Sequence, residues 1–276
     1  MHLVVQAPRL TDADVADLLR ASASNTFARA APGVVRIPDA EPSARIADLC
    51  AARQFDFSFV PGERRLDRVG LVAMDMDSTL ITIECIDEIA DMQGIKPQVA
   101  AITASAMRGE IDLAESLRQR VGLLAGLDAT ALERVYHERL RLSPGAEAML
   151  AVFKATGAKT MLVSSGFTFF TDRLQARLGL DYATSNVLEI SAGMLTGRIA
   201  GNIVDATGKA DAVRRVRADA GMAGKLTVGI GDGANDLPML AAVDVSVAYH
   251  AKPVVRERAA CRIDHCGLDA VINLFA

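Results

Sequence analysis

Residues 69–74, Val69-Gly70-Leu71-Val72-Ala73-Met74, form an apolar run that stops at Asp75-Met76-Asp77-Ser78-Thr79-Leu80. A short, bounded apolar run without polar alternation reads as a strand buried on both faces. Such strands belong to parallel sheets covered by helices on each side, which restricts the chain to an α/β architecture. In open α/β sheets, chemistry collects just beyond the carboxyl ends of the strands. Asp75 and Asp77 stand at such an end. Two carboxylates this close repel and require a cation, a proton or a set of donors. A bound Mg²⁺ would meet that requirement, and one aspartate could then serve as nucleophile while the other moves a proton.

Three more polar clusters follow apolar or helical patterns. Lys159-Thr160-Met161-Leu162-Val163 leads into Ser164-Ser165-Gly166. Leu226-Thr227-Val228-Gly229-Ile230 leads into Gly231-Asp232-Gly233-Ala234-Asn235-Asp236. Between them, Gly208-Lys209-Ala210-Asp211 opens a helical pattern. A hydroxyl, a lysine and several carboxylates at such ends can assemble one phosphate and metal site. Ser164 can donate to a phosphate oxygen, Lys209 can neutralise its charge, and Asp232 can give Mg²⁺ a hard oxygen ligand.

In order and spacing, this set resembles the haloacid dehalogenase-like hydrolase superfamily. Within it, Asp75-Met76-Asp77-Ser78-Thr79-Leu80, Glu84-Cys85-Ile86-Asp87-Glu88-Ile89-Ala90, Ser116-Leu117-Arg118-Gln119-Arg120-Val121 and Gly231-Asp232-Gly233-Ala234-Asn235-Asp236 closely resemble the phosphoserine phosphatase family. The resemblance covers residues 69–276. It implies Mg²⁺-dependent hydrolysis of O-phospho-L-serine to L-serine and phosphate through an aspartyl-phosphate, the last step of phosphorylated serine biosynthesis.

The resemblance also assigns roles. Asp75 would attack phosphorus, and Asp77 would protonate the leaving oxygen and later activate water. Asp75, Asp232 and the backbone carbonyl of Asp77 would hold the metal. Asp236 would stand behind them, against metal-bound water or Lys209. Ser164 and Lys209 would bind phosphate oxygens, with Ser165 and Gly166 giving backbone access and Asn235 on the phosphate side. Glu84 would pair with the substrate ammonium and Arg120 with its carboxylate. Met107 and Leu113 would line the pocket. Two positions depart from the family: Ser165 stands where it usually has glycine, and Leu113 where an aromatic residue is common. On the residues alone, two other readings stay open. One is hydrolysis of another small phosphomonoester, such as phosphohomoserine or a sugar phosphate. The other is a sensor phosphorylated on Asp75, against which the intact Asp77 argues.

Competing motifs fare worse. Gly229-Ile230-Gly231-Asp232-Gly233-Ala234 fits the dinucleotide fingerprint, but Asp232 and Asp236 would set negative charge beside a pyrophosphate. Gly208-Lys209 lacks the spacing of a P-loop. No cysteine has an arginine six residues on, and no histidine sits in an Arg-His-Gly setting. The adjacent pair His265-Cys266, with Cys261, does not match zinc-site spacing.

Residues 1–66 read as a small α+β accessory unit, with strands at 2–6, 34–37 and 55–60 and helices after Thr11 and Ser43, a βαβαβ-like order. Pro61-Gly62 and the charged run 63–68 place the boundary. Residues 67–276 read as the catalytic domain, a doubly wound, mostly parallel, Rossmann-like sheet with a helical cap inserted at about 84–142. The net charge of −4 argues against non-specific nucleic-acid binding. An anionic substrate must then be captured by local cations and a metal. No stretch has the apolar length of a membrane helix, and Met1-His2 opens no signal peptide, so a cytoplasmic enzyme is expected, with a homodimer left open.

Overall fold

The computed structural model describes residues 1–219 and 221–276, with every side chain among them except that of Met107. The first strand, β1 (His2–Gln6), is followed by α1 (Asp12–Ala21), β2 (Ala28–Ala31), β3 (Val34–Ile37), α2 (Ala44–Arg53) and β4 (Asp56–Val60). Thr11 and Asp14 start α1 with a reciprocal capping box: the Thr11 hydroxyl accepts from the Asp14 N–H and the Asp14 carboxylate from the Thr11 N–H. The four strands form an antiparallel sheet in the order β2-β3-β1-β4. The chain order is therefore βαββαβ, not the expected βαβαβ. The strand missed from sequence is β2. Its residues, Ala28-Arg29-Ala30-Ala31, are all exposed at the sheet edge, so they carry neither apolar alternation nor strand-favouring side chains.

Both faces of this small sheet are used. Leu3 and Val5 pack with Val15 and Leu18 of α1 and Ile46 and Cys50 of α2. Val4, Val34 and Val60 point the other way and join the larger core of the molecule. Polar bonds reinforce that contact. The Asp56 carboxylate accepts from the N–H groups of Asp264, His265 and Cys266 at 2.7–3.1 Å. The Arg36 guanidinium donates to the carbonyls of Asn273 and Phe275 at 3.0 and 2.7 Å.

The rest of the chain begins with β5 (Val69–Met74), which is buried along its whole length as the apolar run predicts. Helices follow before the next strand, beginning with α3 (Cys85–Met92), α4 (Lys96–Met107), α5 (Leu113–Gly122) and α6 (Thr130–Arg134). Then come α7 (Ala146–Ala155), β6 (Lys159–Phe167), α8 (Thr168–Leu178) and the strands β7 (Tyr182–Ser191) and β8 (Met194–Ala200). After them come α9 (Ala206–Asp219), β9 (Leu226–Gly231), α10 (Leu237–Ala241), β10 (Val245–Tyr249), α11 (Pro253–Arg256), β11 (Cys261–Ile263) and a 3-10 helix over Leu268–Leu274.

These seven strands form one sheet in the order β11-β10-β9-β5-β6-β7-β8, parallel throughout except for the β7–β8 pair. The two faces of β5 feed different cores. Val72 and Met74 lie with Leu150 and Phe153, and Leu71 and Ala73 with Val213, Met239 and Leu240. β5 lies between β6 and β9, so the chain leaves it in one direction and returns on its other side. That is a topological switch point, where the strand ends part and leave a crevice. No helix among the described residues is long and apolar enough to cross a membrane.

Candidate active site

The register Met74↔Leu162 and Met74↔Ile230 brings three strand ends level, so the residues beyond them meet at one point. Asp75 is tied there by its N–H to the Ile230 carbonyl at 3.0 Å. Past Asp75 the chain turns tightly, with Ser78 at a left-handed φ of 56°. The turn sends Asp77 and Glu84 to the same side. The Asp77 carboxylate accepts from the Cys85 N–H at 2.9 Å, and the Ser78 hydroxyl donates to Glu84 at 2.7 Å.

Lys209, near the start of α9, is completely buried and lies below this turn. Its Nζ is 2.7 Å from Asp75 Oδ1 and 2.5 Å from Asp236 Oδ1. The other Asp236 oxygen accepts from the N–H groups of Asp232 and Gly233 at 3.1 and 3.0 Å. Gly231 makes this closeness attainable: a Cβ there would stand 2.6 Å from the Asp236 carboxyl group. Thr79 donates to Asp232 at 3.2 Å. Asp75, Asp232 and Asp236, all buried, thus present carboxylate oxygens within 4.8 Å of one another.

One lysine cannot neutralise three carboxylates, and the electrostatics report it. Burial and then Asp236 push the Asp75 carboxyl well above the usual range, with Lys209 opposing. Asp232 is pushed up to about 7 by burial, then by Asp236 and Glu84. Asp77 is pushed up to about 7 by burial and then by Glu84. Burial works against the Lys209 ammonium, but Asp236 and Asp75 outweigh it and hold its pKa above the ordinary lysine value. Clustered hard oxygen donors with surplus negative charge are what a divalent cation requires, so the residues fit a metal.

Above the strand ends lies a cavity of about 410 Å³. Of the residues singled out in the sequence, Asp75, Asp77, Glu84, Leu113, Arg120, Ser164, Ser165, Gly166, Asp232 and Asn235 line it. Lys209 and Asp236 lie beneath it, and the Met107 side chain is outside the described residues. Leu113 is 42 % exposed despite facing the cavity. Gly166 could not be replaced freely, because a Cβ there would come within 2.9 Å of Asp77 Oδ2 and 3.0 Å of Ser164 Oγ. Helices α3, α4 and α5 supply the roof through Ile86, Thr103, Leu117 and Arg120. Burial holds the Arg120 guanidinium below its usual pKa, while Asp87, Glu84 and Asp77 oppose that shift.

Comparison with known proteins gives the family. The haloacid dehalogenase-like hydrolase family model matches residues 72–241. A phosphoserine phosphatase from Polaromonas sp. (strain JS666) is 51 % identical over 215 residues, which are 76 % of this chain and 91 % of that protein. The chain belongs to the haloacid dehalogenase-like hydrolase family. Its relatives make it a phosphatase within that family. A haloacid dehalogenase-like hydrolase from Salmonella enterica serovar Typhi superposes with a TM-score of 0.91 at 34 % identity, covering 99 % of this chain and 97 % of the other. A structure described as a phospho-aspartyl intermediate analogue of phosphoserine phosphatase superposes with a TM-score of 0.70 at 34 % identity, covering 75 % of this chain and 99 % of the other.

Several residues of the site escaped the sequence reading. Thr79 orients Asp232, and it stands inside the first motif, where it could have been named. Asp205 accepts the Gly208 N–H at 2.8 Å at the start of α9. Lys252 lines the cavity and donates its backbone N–H to the Asp232 carbonyl at 2.9 Å. Nothing in the sequence around Asp205 or Lys252 marks them, since the folded sheet alone brings them near Asp232 and Lys209.

Proposed function

We propose that this phosphatase hydrolyses O-phospho-L-serine to L-serine and phosphate, closing a route of serine biosynthesis through phosphorylated intermediates. The observation that carries the reading is one shared cavity. It holds Asp75 and Ser164 for a phosphate, and Glu84 and Arg120 for an ammonium and a carboxylate. A substrate bearing all three groups can satisfy each of them at once. The relatives that bear the name phosphoserine phosphatase add support.

Asp75 attacks phosphorus, and the bond between phosphorus and the serine oxygen breaks as the aspartyl-phosphate forms. Asp77, held by the Cys85 N–H, gives a proton to the departing serine oxygen. It then takes a proton from the water that attacks the aspartyl-phosphate, which releases phosphate and restores Asp75. Lys209 steadies the negative charge of Asp75 and its phosphoryl group, with Asp236 as its second anchor. Ser164, Ser165, Gly166 and Asn235 receive the phosphate oxygens. Asp75, Asp232 and the backbone carbonyl of Asp77 would hold Mg²⁺, with Asp236 behind them, and the ion would supply charge neutralisation at the phosphate. The apolar roof from α3 and α5 excludes water once substrate fills the cavity. The four free cysteines accord with a reducing, cytoplasmic setting.

The testing experiment is phosphate release from phospho-L-serine with and without Mg²⁺. Mg²⁺-dependent release is expected. No release from phospho-L-serine, alongside release from a sugar phosphate, would overturn the substrate assignment.

A further inference from the structure

The phosphate cradle comes from two separate pieces of chain. Ser164-Ser165-Gly166 belongs to the end of β6, and Lys209 belongs to α9. The register between β6 and β7 breaks where the first piece lies. Val163 pairs with Thr184, but the next pair is Phe167 with Asn186. Four residues of β6 therefore advance against two of β7. The extra residues swing toward the cavity, and the Ser165 carbonyl loses its ladder partner.

The side chain of Asn186 takes that place. It is 1 % exposed. Its Nδ2 donates to the Ser165 carbonyl at 2.8 Å and to the Val204 carbonyl at 3.4 Å, and its Oδ1 accepts from the Val204 N–H at 2.7 Å. The Ser165–Gly166 peptide is thereby held at both ends, because its N–H donates to Ser164 Oγ at 2.8 Å. Val204 leads directly into Asp205, whose backbone carbonyl accepts from the Lys209 N–H at 2.9 Å and whose side chain accepts from the Gly208 N–H at 2.8 Å. One buried amide thus fixes the loop that carries Ser164 to the loop that launches Lys209.

We propose that Asn186 is a positioning residue that sets the Ser164–Gly166 bulge against the start of α9, so that hydroxyl and ammonium converge on one phosphate. The inference rests on the phosphatase reading of the site but not on phosphoserine as substrate. Displacement of a reacting group by about 1 Å can cost on the order of 100-fold. Asn186→Leu preserves volume and removes all three bonds. Its kcat is expected to fall about 10- to 100-fold and its inhibition constant for inorganic phosphate to rise about 10-fold. Inhibition by the alcohol product of whichever phosphomonoester the parent hydrolyses, L-serine if that ester is phosphoserine, is expected to stay within about 2-fold, because the alcohol lacks the phosphate.

Thr160→Val is the structural control. It removes a part-buried side-chain bond to Asp181 elsewhere on β6, at 3.1 Å. It should lower Tm without changing phosphate inhibition. Should Asn186→Leu fail to fold, Asn186→Asp carries the same test: it retains the acceptor for Val204 N–H and loses the donor to Ser165. Both rates are also read with p-nitrophenyl phosphate, which has neither ammonium nor carboxylate. Failure on phosphoserine alone would sink the substrate assignment, whereas the Asn186 effect would persist on the artificial ester. Asn186 variants that match Thr160→Val, with lower Tm but unchanged kcat and phosphate inhibition, would overturn the proposal.

Discussion

Asp56 and Asp75 sit at strand ends in the two sheets, and they are 2 % and 5 % exposed. Burial of a carboxylate is costly unless its oxygens find donors. Asp56 finds them all in backbone N–H groups of residues 264–266, a fixed concave set that asks for nothing further. Asp75 finds one lysine, which it shares with Asp236, and it faces Asp232 and Asp236 across less than 4.8 Å. The first arrangement joins the small sheet to the large one. The second stores unmet demand that a cation and a phosphate can relieve. The same side chain therefore acts as a fastener where its partners are complete and, on the proposed reading, as reactive machinery where they are not.

Exchange of each aspartate for asparagine breaks the comparison from both sides. Asp75→Asn should lower turnover by about 10⁴-fold or more and abolish a hydroxylamine-sensitive phospho-enzyme. Its metal-free Tm should hold or rise. An acid whose pKa is raised in the folded protein costs stability at neutral pH, and a neutral amide removes that cost. Turnover near the parent level, measured as phosphate release, would remove Asp75 as nucleophile. Metal withdrawal tests the same unmet demand without mutation. Chelation should reduce activity about 100- to 1,000-fold, with recovery on adding Mg²⁺. Ca²⁺ should not restore it, since it favours more ligands at longer distances. Full activity in protein shown by elemental analysis to be metal-free would refute that expectation.

The comparison also explains what could be read from the sequence. The α/β class followed from residues 69–74, because a strand buried on both faces cannot disguise its uninterrupted apolar character. Asp75, Asp77, Ser164 and Asp232 were legible because they stand at or just beyond the ends of apolar runs, Asn235 only through the resemblance of its loop to the family's, and the sheet brings all five to one cavity. β2 was not legible: an exposed alanine-rich edge strand is defined by its pairing with β3 and not by its composition. The partners of Asp56 lie more than 200 residues along the chain and are backbone groups, which no side-chain pattern encodes. Asn186 was hidden for the same reason. Its bonds go to the backbones of Ser165 and Val204, and its need arises from a register break visible only once β6 and β7 are paired.

Arg120 sharpens the comparison within the cavity, because the proposed substrate would offer this half-buried cation a carboxylate. Arg120→Ala should weaken phosphoserine turnover far more than turnover of phosphoethanolamine, which keeps the ammonium and lacks the carboxylate. A bidentate contact in a closed site is worth about 2–4 kcal/mol, or about 30- to 1,000-fold in kcat/KM. Glu84→Gln should discriminate in the same way for substrates that carry the ammonium. An unchanged ratio of kcat/KM for the two esters in Arg120→Ala would show that the arginine does not grip the carboxylate.

The smallest effect on activity is expected at the other aspartate. Asp56→Asn keeps the size of the side chain but places an amide N–H where the backbone of residues 264–266 already offers donors. Loss of charge-assisted bonds costs about 1.5–3 kcal/mol. For a chain of this length that is a fall of about 3–5 °C in Tm. Turnover at 25 °C should remain within about 2-fold of the parent, because none of the residues lining the cavity bonds to Asp56. The variant thus reverses the signature of Asp75→Asn, losing stability and keeping chemistry. Thermal unfolding and initial rates on the same preparation decide the matter. If Asp56→Asn lost more than about 10-fold in kcat with Tm unchanged, the small sheet would be coupled to the site through β11 and the loop after β10. The division between a satisfied fastener and an unsatisfied reactive cluster would then fail.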